Sequence, residues 1–292
     1  MLENKFNREE YETFLIQNGC VRLGGKYILS STKDLSPYHI NFREFGNKGY
    51  NILLNMIGDF IKENIENHQN YQFVGIPYGA IDIGNQISTI VGNGKRAILR
   101  KEKINADKEI DEVFAGPMNP NAGSEIILIE DVLVKGSNIT KYLQAVRDCG
   151  IEVNKAIILC DRRENASDSM PTVGDSNYNR EYESSTDKLK EKGLELFVLT
   201  DVHSLIPRAI KRRYSKENVI KLDEKGVQIV FEILQYYGRN GFDRGGIKEG
   251  KITINEFIDF PFTQEIIGVG DYFNTKLLQS FIQENVLTAK NF

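Results

Sequence analysis

The chain has 292 residues, of which 40% are hydrophobic and 27% charged, with a formal net charge of -4 and a pI near 5.6. This composition is typical of globular proteins, and the length allows one large domain or an ordinary domain with an appendage. The acidic balance argues against nucleic-acid binding, which a basic face would indicate. No apolar run approaches the ~20 residues of a membrane span, and residues 1–10 lack the apolar core of a signal peptide.

The cysteine and histidine content indicates neither a disulfide framework nor a metal site. Cys20, Cys149 and Cys160 are widely spaced, and their spacing fits no common zinc motif. The three histidines are scattered along the chain, so a histidine-based metal site is not expected. A reducing, cytoplasmic setting is the simplest expectation from this pattern.

Strand and helix patterns alternate along the first two thirds of the chain. In chain order we predict a helix at 50–66, a strand at 73–76, a helix at 81–91, strands at 97–99 and 126–129, a helix at 139–148, and strands at 156–160 and 194–199. Alternation with short connections predicts an α/β fold, in which helices cover both faces of a parallel sheet.

Two regions depart from this alternation. Residues 162–192 are polar, which predicts a long loop or a poorly ordered insertion. Beyond residue 207 the pattern changes, with helices predicted at 217–237 and 272–287 and a strand at 252–254. This tail is long enough to form a lid, a dimerisation element or a small second domain, and its sequence leaves these alternatives open.

The most informative segment begins with the apolar strand at 126–129, which leads directly into Glu130 and Asp131. A short turn with Gly136 and Ser137 precedes the next helix. Ligands bind at the carboxyl ends of strands in open α/β sheets, and a helix N-terminus favours an anion. Because two carboxylates can accept hydrogen bonds from sugar hydroxyls, the segment predicts a ribose phosphate site. The alternative is an ordinary strand–turn–helix with solvated acids.

This segment resembles the motif with which type I phosphoribosyltransferases bind 5-phosphoribosyl 1-pyrophosphate (PRPP). Four further segments, in the right order, resemble parts of orotate phosphoribosyltransferases. They are the N-terminal hood segment at 29–43, the pyrophosphate loop at 74–80, the start of the mobile catalytic loop at 99–103, and an Asp-Arg segment at 161–164. The resemblance covers roughly residues 22–202 and does not include the tail.

The resemblance implies a type I phosphoribosyltransferase fold, with a central, mostly parallel sheet flanked by helices. It implies a phosphoribosyltransferase domain at 1–206, including an N-terminal hood at 1–48 and the polar insertion at 162–192. Residues 207–292 would form an α-rich C-terminal extension of unknown role. Family members are dimers whose mobile loop reaches the neighbouring active site, so the resemblance implies a homodimer.

The implied reaction transfers the phosphoribosyl group of PRPP to orotate and gives orotidine 5′-monophosphate and pyrophosphate, a step of pyrimidine biosynthesis. Orotate N1 displaces pyrophosphate from ribose C1, and negative charge builds up on the leaving group. Positioned cations stabilise such charge. The resemblance implies Mg²⁺ as cofactor, held through PRPP without a dedicated set of protein ligands.

Residue roles follow from the matching positions. The implied catalytic residues are Arg100, Lys103 and Asp131. The implied PRPP-binding residues are Tyr78, Gly79, Arg100, Lys101, Glu130, Asp131, Lys135, Gly136, Ser137 and Asn138. The implied orotate-binding residues are Lys33, Tyr38, His39 and Arg162. Arg162 is assigned to the orotate carboxylate because its planar fork suits a bidentate pair; the alternative is a surface arginine paired with Glu164.

Three positions depart from the family pattern. Val134 replaces a threonine, which removes a hydroxyl donor to the 5-phosphate, and the adjacent Lys135 supplies a point charge instead. Lys103 is displaced by one position in the mobile loop, and Lys33 takes the place of a basic hood residue. Two alternatives therefore stay open. One is a catalytically altered PRPP- or nucleotide-binding module that regulates a multi-protein system, with a protein partner for the extension. The other is a phosphoribosyltransferase for another base.

Overall fold

The computed structural model describes residues 5–29, 35–100, 113–115, 120, 123–164, 166, 184–216, 219–220 and 224–240. The strand predicted at 252–254 and the helix predicted at 272–287 lie outside these residues. The described residues belong to two compact units. Unit 1 comprises Met1–Cys20, Asn41–Asp161 and Thr186–Asp201, and unit 2 comprises Val21–Ile40, Arg162–Ser185 and Val202–Phe292.

The helices and strands are numbered here in chain order. The helices are α1 (Arg8–Gln17), α2 (Asn47–Asn64), α3 (Ile81–Ile90), α4 (Ser137–Asp148), α5 (Ser185–Glu191), α6 (Val202–Tyr214) and α7 (Glu224–Asn240). The strands are β1 (Val21–Ile28), β2 (Leu35–Ile40), β3 (Gln72–Gly75), β4 (Ile98–Leu99), β5 (Phe114–Ala115), β6 (Glu125–Leu133), β7 (Glu152–Asp161), β8 (Glu195–Val198), β9 (Ser215–Lys216) and β10 (Val219–Ile220). No described helix has both the length and the apolar character needed to cross a bilayer.

Unit 1 is built on a four-stranded sheet in the order β3-β6-β7-β8, and all its pairings are parallel. Its two central strands carry buried apolar runs at 126–129 and 156–160, as expected where helices bury both faces of a parallel sheet. In register, Val74 pairs with Leu128, and Ile129 pairs with Ile157. The predicted α/β class with a mostly parallel central sheet is therefore confirmed.

One face of the sheet packs against α4. Alternate residues of β6, Ile126 and Leu128, join Ile139, Leu143 and Val146 of α4 in one apolar cluster. Successive side chains of a strand point to opposite faces, which places Ile127 and Ile129 on the other side of the sheet. All of these side chains are buried, so the central strand is fixed from both faces.

Close backbone packing fixes the connection between β3 and α3. A β-carbon at Gly84 of α3 would overlap the backbone of Gly75, the last residue of β3. A β-carbon at Gly75 would in turn overlap the carbonyl of Ala80. The loop at 76–80 is therefore folded tightly between the strand and the helix.

Helix α1 is held to the end of β8 by a buried carboxylate. Glu12 is fully buried and accepts hydrogen bonds from Thr200 Oγ1 at 2.6 Å and from Arg8 Nε at 3.0 Å. Arg8 also donates to Asp201 at 2.9 Å. A buried charge needs such partners to offset its loss of hydration, so this contact fixes the N-terminal helix on unit 1.

Unit 2 contains the antiparallel hairpin β1–β2 together with α6 and α7. Arg213 of α6 donates to the carbonyl of Leu23 in β1 at 2.6 Å. Helix α6 continues through Pro207, so the predicted boundary after residue 206 lies inside a helix. The helix predicted at 217–237 begins later, at Glu224, and continues to Asn240.

Candidate active site

The two predicted ribose-binding acids lie near the carboxyl end of β6. The apolar run predicts that the strand ends before Glu130 and Asp131. In the structure it continues to Leu133, so both acids lie within the strand. Glu130 is 5% exposed, and its Oε2 atom has no hydrogen-bond partner among the described residues. A buried carboxylate oxygen without a donor is costly, which indicates a position that a ligand can satisfy.

Burial controls the protonation of this pair. Burial, together with the charge of the neighbouring Asp131, raises the pKa of Glu130 well above its ordinary value. Burial also raises the pKa of Asp131, although the backbone N–H of Val132 and the charge of Arg43 act in the opposite direction. Both carboxyl groups therefore hold their protons to a higher pH than free side chains do.

The predicted pyrophosphate loop lies directly against Asp131. A β-carbon at Gly79 would overlap the carboxylate of Asp131, so the glycine allows the acid to approach the loop backbone. Asn138 at the start of α4 donates to the carbonyl of Pro77 at 3.4 Å. The loop, the acidic strand and the N-terminus of α4 thus meet in unit 1. Tyr78 is 53% exposed in this loop.

The turn after β6 has the geometry of an anion site. Gly136 precedes α4 with a φ of 73°, a backbone conformation that glycine adopts without strain. No side chain caps the first turn of α4, where Ser137 and Asn138 lie. Backbone N–H groups at such a helix start attract phosphate oxygens. Lys135, which is 9% exposed, places an amine-bearing side chain in the same turn.

Arg100 is the one cationic residue of the predicted catalytic loop that lies among the described residues. Its backbone N–H donates to the carbonyl of Val113 at 2.9 Å, and its side-chain Nε donates to the carbonyl of Phe114 at 3.1 Å. Arg100 is therefore fixed beside the β4–β5 pair. Lys101, Lys103 and Lys33, three further predicted site residues, lie outside the described residues.

Unit 2 brings Arg162 and Tyr38, two of the predicted orotate-binding residues, into one buried cluster. Arg162 is 1% exposed and donates from Nε to Oε1 of Glu164 at 2.7 Å and from Nη2 to Oγ of Ser36 at 3.0 Å. Its guanidinium carbon lies 4.1 Å from the ring centroid of Tyr38 and 5.3 Å from that of Tyr236. The arginine pairs with Glu164, but inside the protein rather than on its surface.

The cluster favours a charged arginine. Burial acts to lower the pKa of Arg162, but Coulombic interactions with Tyr38, Glu164 and Tyr236 outweigh it and raise the pKa. Burial raises the pKa of Tyr236 as well, so this phenol stays protonated and donates its hydrogen to Glu164 at 2.9 Å.

His39, the remaining described residue of the predicted base site, lies beside this cluster in the sequence but has a different environment. It is half-buried and stacks on Tyr27, with ring centroids 5.2 Å apart and ring planes 17° apart. Neighbouring residues of a strand point to opposite faces, which separates His39 from the buried Tyr38. His39 is thus the more accessible of the two.

The sequence interpretation missed Tyr236, and no local pattern marks it. Tyr236 lies in a helix whose apolar spacing indicates only a packed face. Its hydrogen bond joins residues 72 positions apart. Glu164 is indicated by the sequence only as a surface partner of Arg162.

Comparisons with known proteins agree with this geometry. Residues 49–181 match the phosphoribosyl transferase domain family. The orotate phosphoribosyltransferase of Methanocaldococcus jannaschii is 26% identical over 152 residues, covering 52% of this chain and 81% of that protein. The orotate phosphoribosyltransferase of Pyrococcus horikoshii is 27% identical over 169 residues, covering 57% of this chain and 86% of that protein.

A solved structure supports the fold. The orotate phosphoribosyltransferase of Francisella tularensis superposes with a TM-score of 0.51 at 18% identity, covering 80% of this chain and 99% of that one. The chain thus has the fold of type I phosphoribosyltransferases, and residues 49–181 within it match the phosphoribosyl transferase domain. Over the matched residues, the chain is similar to orotate phosphoribosyltransferases.

Proposed function

We propose that this protein transfers the phosphoribosyl group of PRPP to orotate and releases pyrophosphate. The observation that carries the proposal is the contact between Gly79 and Asp131, which joins a pyrophosphate-type loop to the acid pair of β6. The relatives named above are orotate phosphoribosyltransferases, and this supports orotate as the base.

Each part of PRPP has a proposed partner in unit 1. Glu130 and Asp131 accept hydrogen bonds from the ribose hydroxyls, and the unpartnered Oε2 of Glu130 gains a donor in this way. Backbone N–H groups of the turn at 135–138 bind the 5-phosphate, with Lys135 adding charge. The loop at Tyr78 and Gly79 binds the pyrophosphate.

Charge on the departing pyrophosphate requires cations. We assign this role to Arg100, Lys101 and Lys103, because preorganised donors stabilise charge that develops in the transition state. The carboxylates of β6 also fit Mg²⁺, which prefers oxygen ligands and commonly binds through one or two carboxylates together with substrate phosphates. When bound, the ion supplies positive charge to the pyrophosphate oxygens.

For the base, we assign recognition to Lys33, Tyr38, His39 and Arg162. Among the described members of this set, the half-buried His39 is the most accessible side chain. Direct contact between Arg162 and the orotate carboxylate stays a prediction. It requires part of a guanidinium that is 1% exposed to become accessible.

The decisive experiment incubates purified protein with PRPP, orotate and Mg²⁺ and follows orotate absorbance and pyrophosphate release. We expect turnover, and its loss in Asp131→Asn. Asp148→Asn, an exposed position at the end of α4, is the matched control and should retain wild-type rates. Turnover that persists in Asp131→Asn would contradict the proposed site.

A second candidate function is a PRPP-binding module without turnover. The displaced Lys103 and the valine at position 134 favour it. PRPP binding detected by calorimetry, without any pyrophosphate release from orotate, would establish this alternative. Turnover with a base that lacks a carboxylate would instead indicate another base as the substrate.

We further propose a cytoplasmic homodimer, on the basis of the family resemblance. Light scattering coupled to size-exclusion chromatography tests the dimer. Co-purification with the full chain, compared with a chain that ends after residue 240, tests whether the C-terminal region recruits a protein partner.

A further inference from the structure

Helix α7 lies beyond the residues that match the phosphoribosyl transferase domain, yet it belongs to the core of unit 2. Its buried side chains are Val227, Ile229, Val230, Phe231, Ile233 and Tyr236. A β-carbon at Gly24 of β1 would lie 2.5 Å from Cδ1 of Ile229. The helix therefore packs closely on the hairpin β1–β2, and its Tyr236 has a fixed position within the unit.

A continuous chain of hydrogen bonds connects α7 to strand β2. Tyr236 donates to Oε1 of Glu164 at 2.9 Å, and Arg162 Nε donates to the same oxygen at 2.7 Å. Arg162 Nη2 donates to Ser36 Oγ at 3.0 Å, and Ser36 Oγ donates to the carbonyl of Tyr38 at 2.6 Å. Each side chain in this network is at most 1% exposed.

We propose, building on the proposed function, that Tyr236 is a positioning residue for base recognition. Tyr236 acts through Glu164 on Arg162 and on strand β2. Base recognition is assigned to Arg162 and to residues of β2. A buried ion pair depends on further hydrogen bonds to offset its loss of hydration. The Tyr236 hydroxyl supplies one of these bonds, so its removal loosens Glu164 and, with it, the arginine and β2.

The kinetic test uses Tyr236→Phe, which removes the hydroxyl and keeps the ring. We expect the KM for orotate to rise about tenfold, equivalent to about 1.4 kcal/mol. The kcat and the KM for PRPP should change less than twofold. Glu164→Gln should act in the same direction, and the double variant should show less than the product of the two effects, because both substitutions disturb one network.

Gln228→Ala, at an exposed position of α7, is the matched control and should leave both KM values unchanged. A purely structural role for Tyr236 predicts a lower melting temperature and a smaller active fraction with an unchanged KM for orotate. That result, or equal changes in the KM of both substrates, would overturn the proposal.

A second measurement separates this proposal from the proposed function. The Nε–H proton of Arg162, assigned by ¹⁵N nuclear magnetic resonance, should exchange slowly with water in the wild type and faster in Tyr236→Phe. This readout requires no catalysis, so failure of orotate turnover in the wild type would leave it intact. Unchanged exchange in Tyr236→Phe would show that the hydroxyl does not position the arginine.

Discussion

Gly79 and Asp131 are so close that a β-carbon on the glycine would overlap the carboxylate of the acid. The two residues come from different elements, since Gly79 lies in the loop after β3 and Asp131 lies in β6. The missing side chain therefore permits the loop at 76–80 and the acids of β6, the proposed pyrophosphate and ribose sites, to lie against each other. Any larger residue at position 79 must move either the loop or the carboxylate.

The first prediction follows from this contact. Gly79→Ala should weaken PRPP binding at least tenfold, measured by calorimetry, because the methyl group displaces Asp131 from its position. Gly46→Ala is the control, since a β-carbon there would have no neighbouring atom within 4 Å and the φ of -66° is one that alanine adopts readily. Equal PRPP affinity in Gly79→Ala and the wild type would argue against a site at this contact.

The second prediction concerns pH. Burial and the charge of Asp131 raise the pKa of Glu130 above its ordinary value of 4.5, so the folded state holds a proton that the unfolded chain releases. Above pH 4.5 this group therefore lowers the free energy of unfolding of the ligand-free protein as the pH rises towards the raised pKa. Below pH 4.5 both states are protonated and the effect vanishes.

Glu130→Gln removes this titration. The variant should melt at a higher temperature than the wild type at neutral and alkaline pH, and the difference should shrink as the pH falls towards 4.5. Differential scanning calorimetry across this range measures it. Glu125→Gln, at the exposed start of the same strand, should show no such trend. A difference in melting temperature that is constant with pH would show that Glu130 titrates normally.

The third prediction concerns the attachment of α1. Thr200→Val removes the donor to the buried carboxylate of Glu12 and should lower the free energy of unfolding by about 1.5–3 kcal/mol, the range for hydrogen bonds to charged groups. Urea denaturation measures this loss. Thr89→Val, at an exposed position of α3, should change stability by less than about 0.5 kcal/mol. Equal losses in the two variants would contradict a specific role for the buried contact.

The strand β6 and the helix α4 could be predicted because both depend on patterns among residues that are close in the sequence. The apolar run before Glu130 and the helical spacing after Ser137 indicate β6 and α4, because a strand buried on both faces and an amphipathic helix each have a distinct periodicity. The end of β6 was not predictable in this way. Pairing with β7 continues to Leu133 and Asp161, and it extends the strand through two acids that hydrophobicity alone would exclude.

Contacts between residues far apart in the sequence could not be predicted in this way. Glu12 and Thr200 are separated by 188 positions, and neither residue has a local signal that points to the other. Likewise, Glu164 is a carboxylate partner of Arg162, but it accepts a single hydrogen bond from the guanidinium, donated by Nε, while Nη2 donates to Ser36. The exposed fractions of both side chains show that this pair is buried. A sequence pattern indicates which chemical partner suits a side chain, but the fold determines which partner is present.

The last prediction tests a departure from the family pattern. Val134 lies at the start of the proposed phosphate-binding turn, at a position where the family resemblance implies a threonine hydroxyl that donates to the 5-phosphate. Val134→Thr should therefore tighten PRPP binding by about tenfold or more, as expected for a hydrogen bond to a charged group. Calorimetric titration with PRPP measures the change. Val132→Thr, within β6, offers a hydroxyl outside the turn and should give no such gain. If Val134→Thr binds PRPP no better than the wild type, Lys135 already supplies what the missing hydroxyl would add.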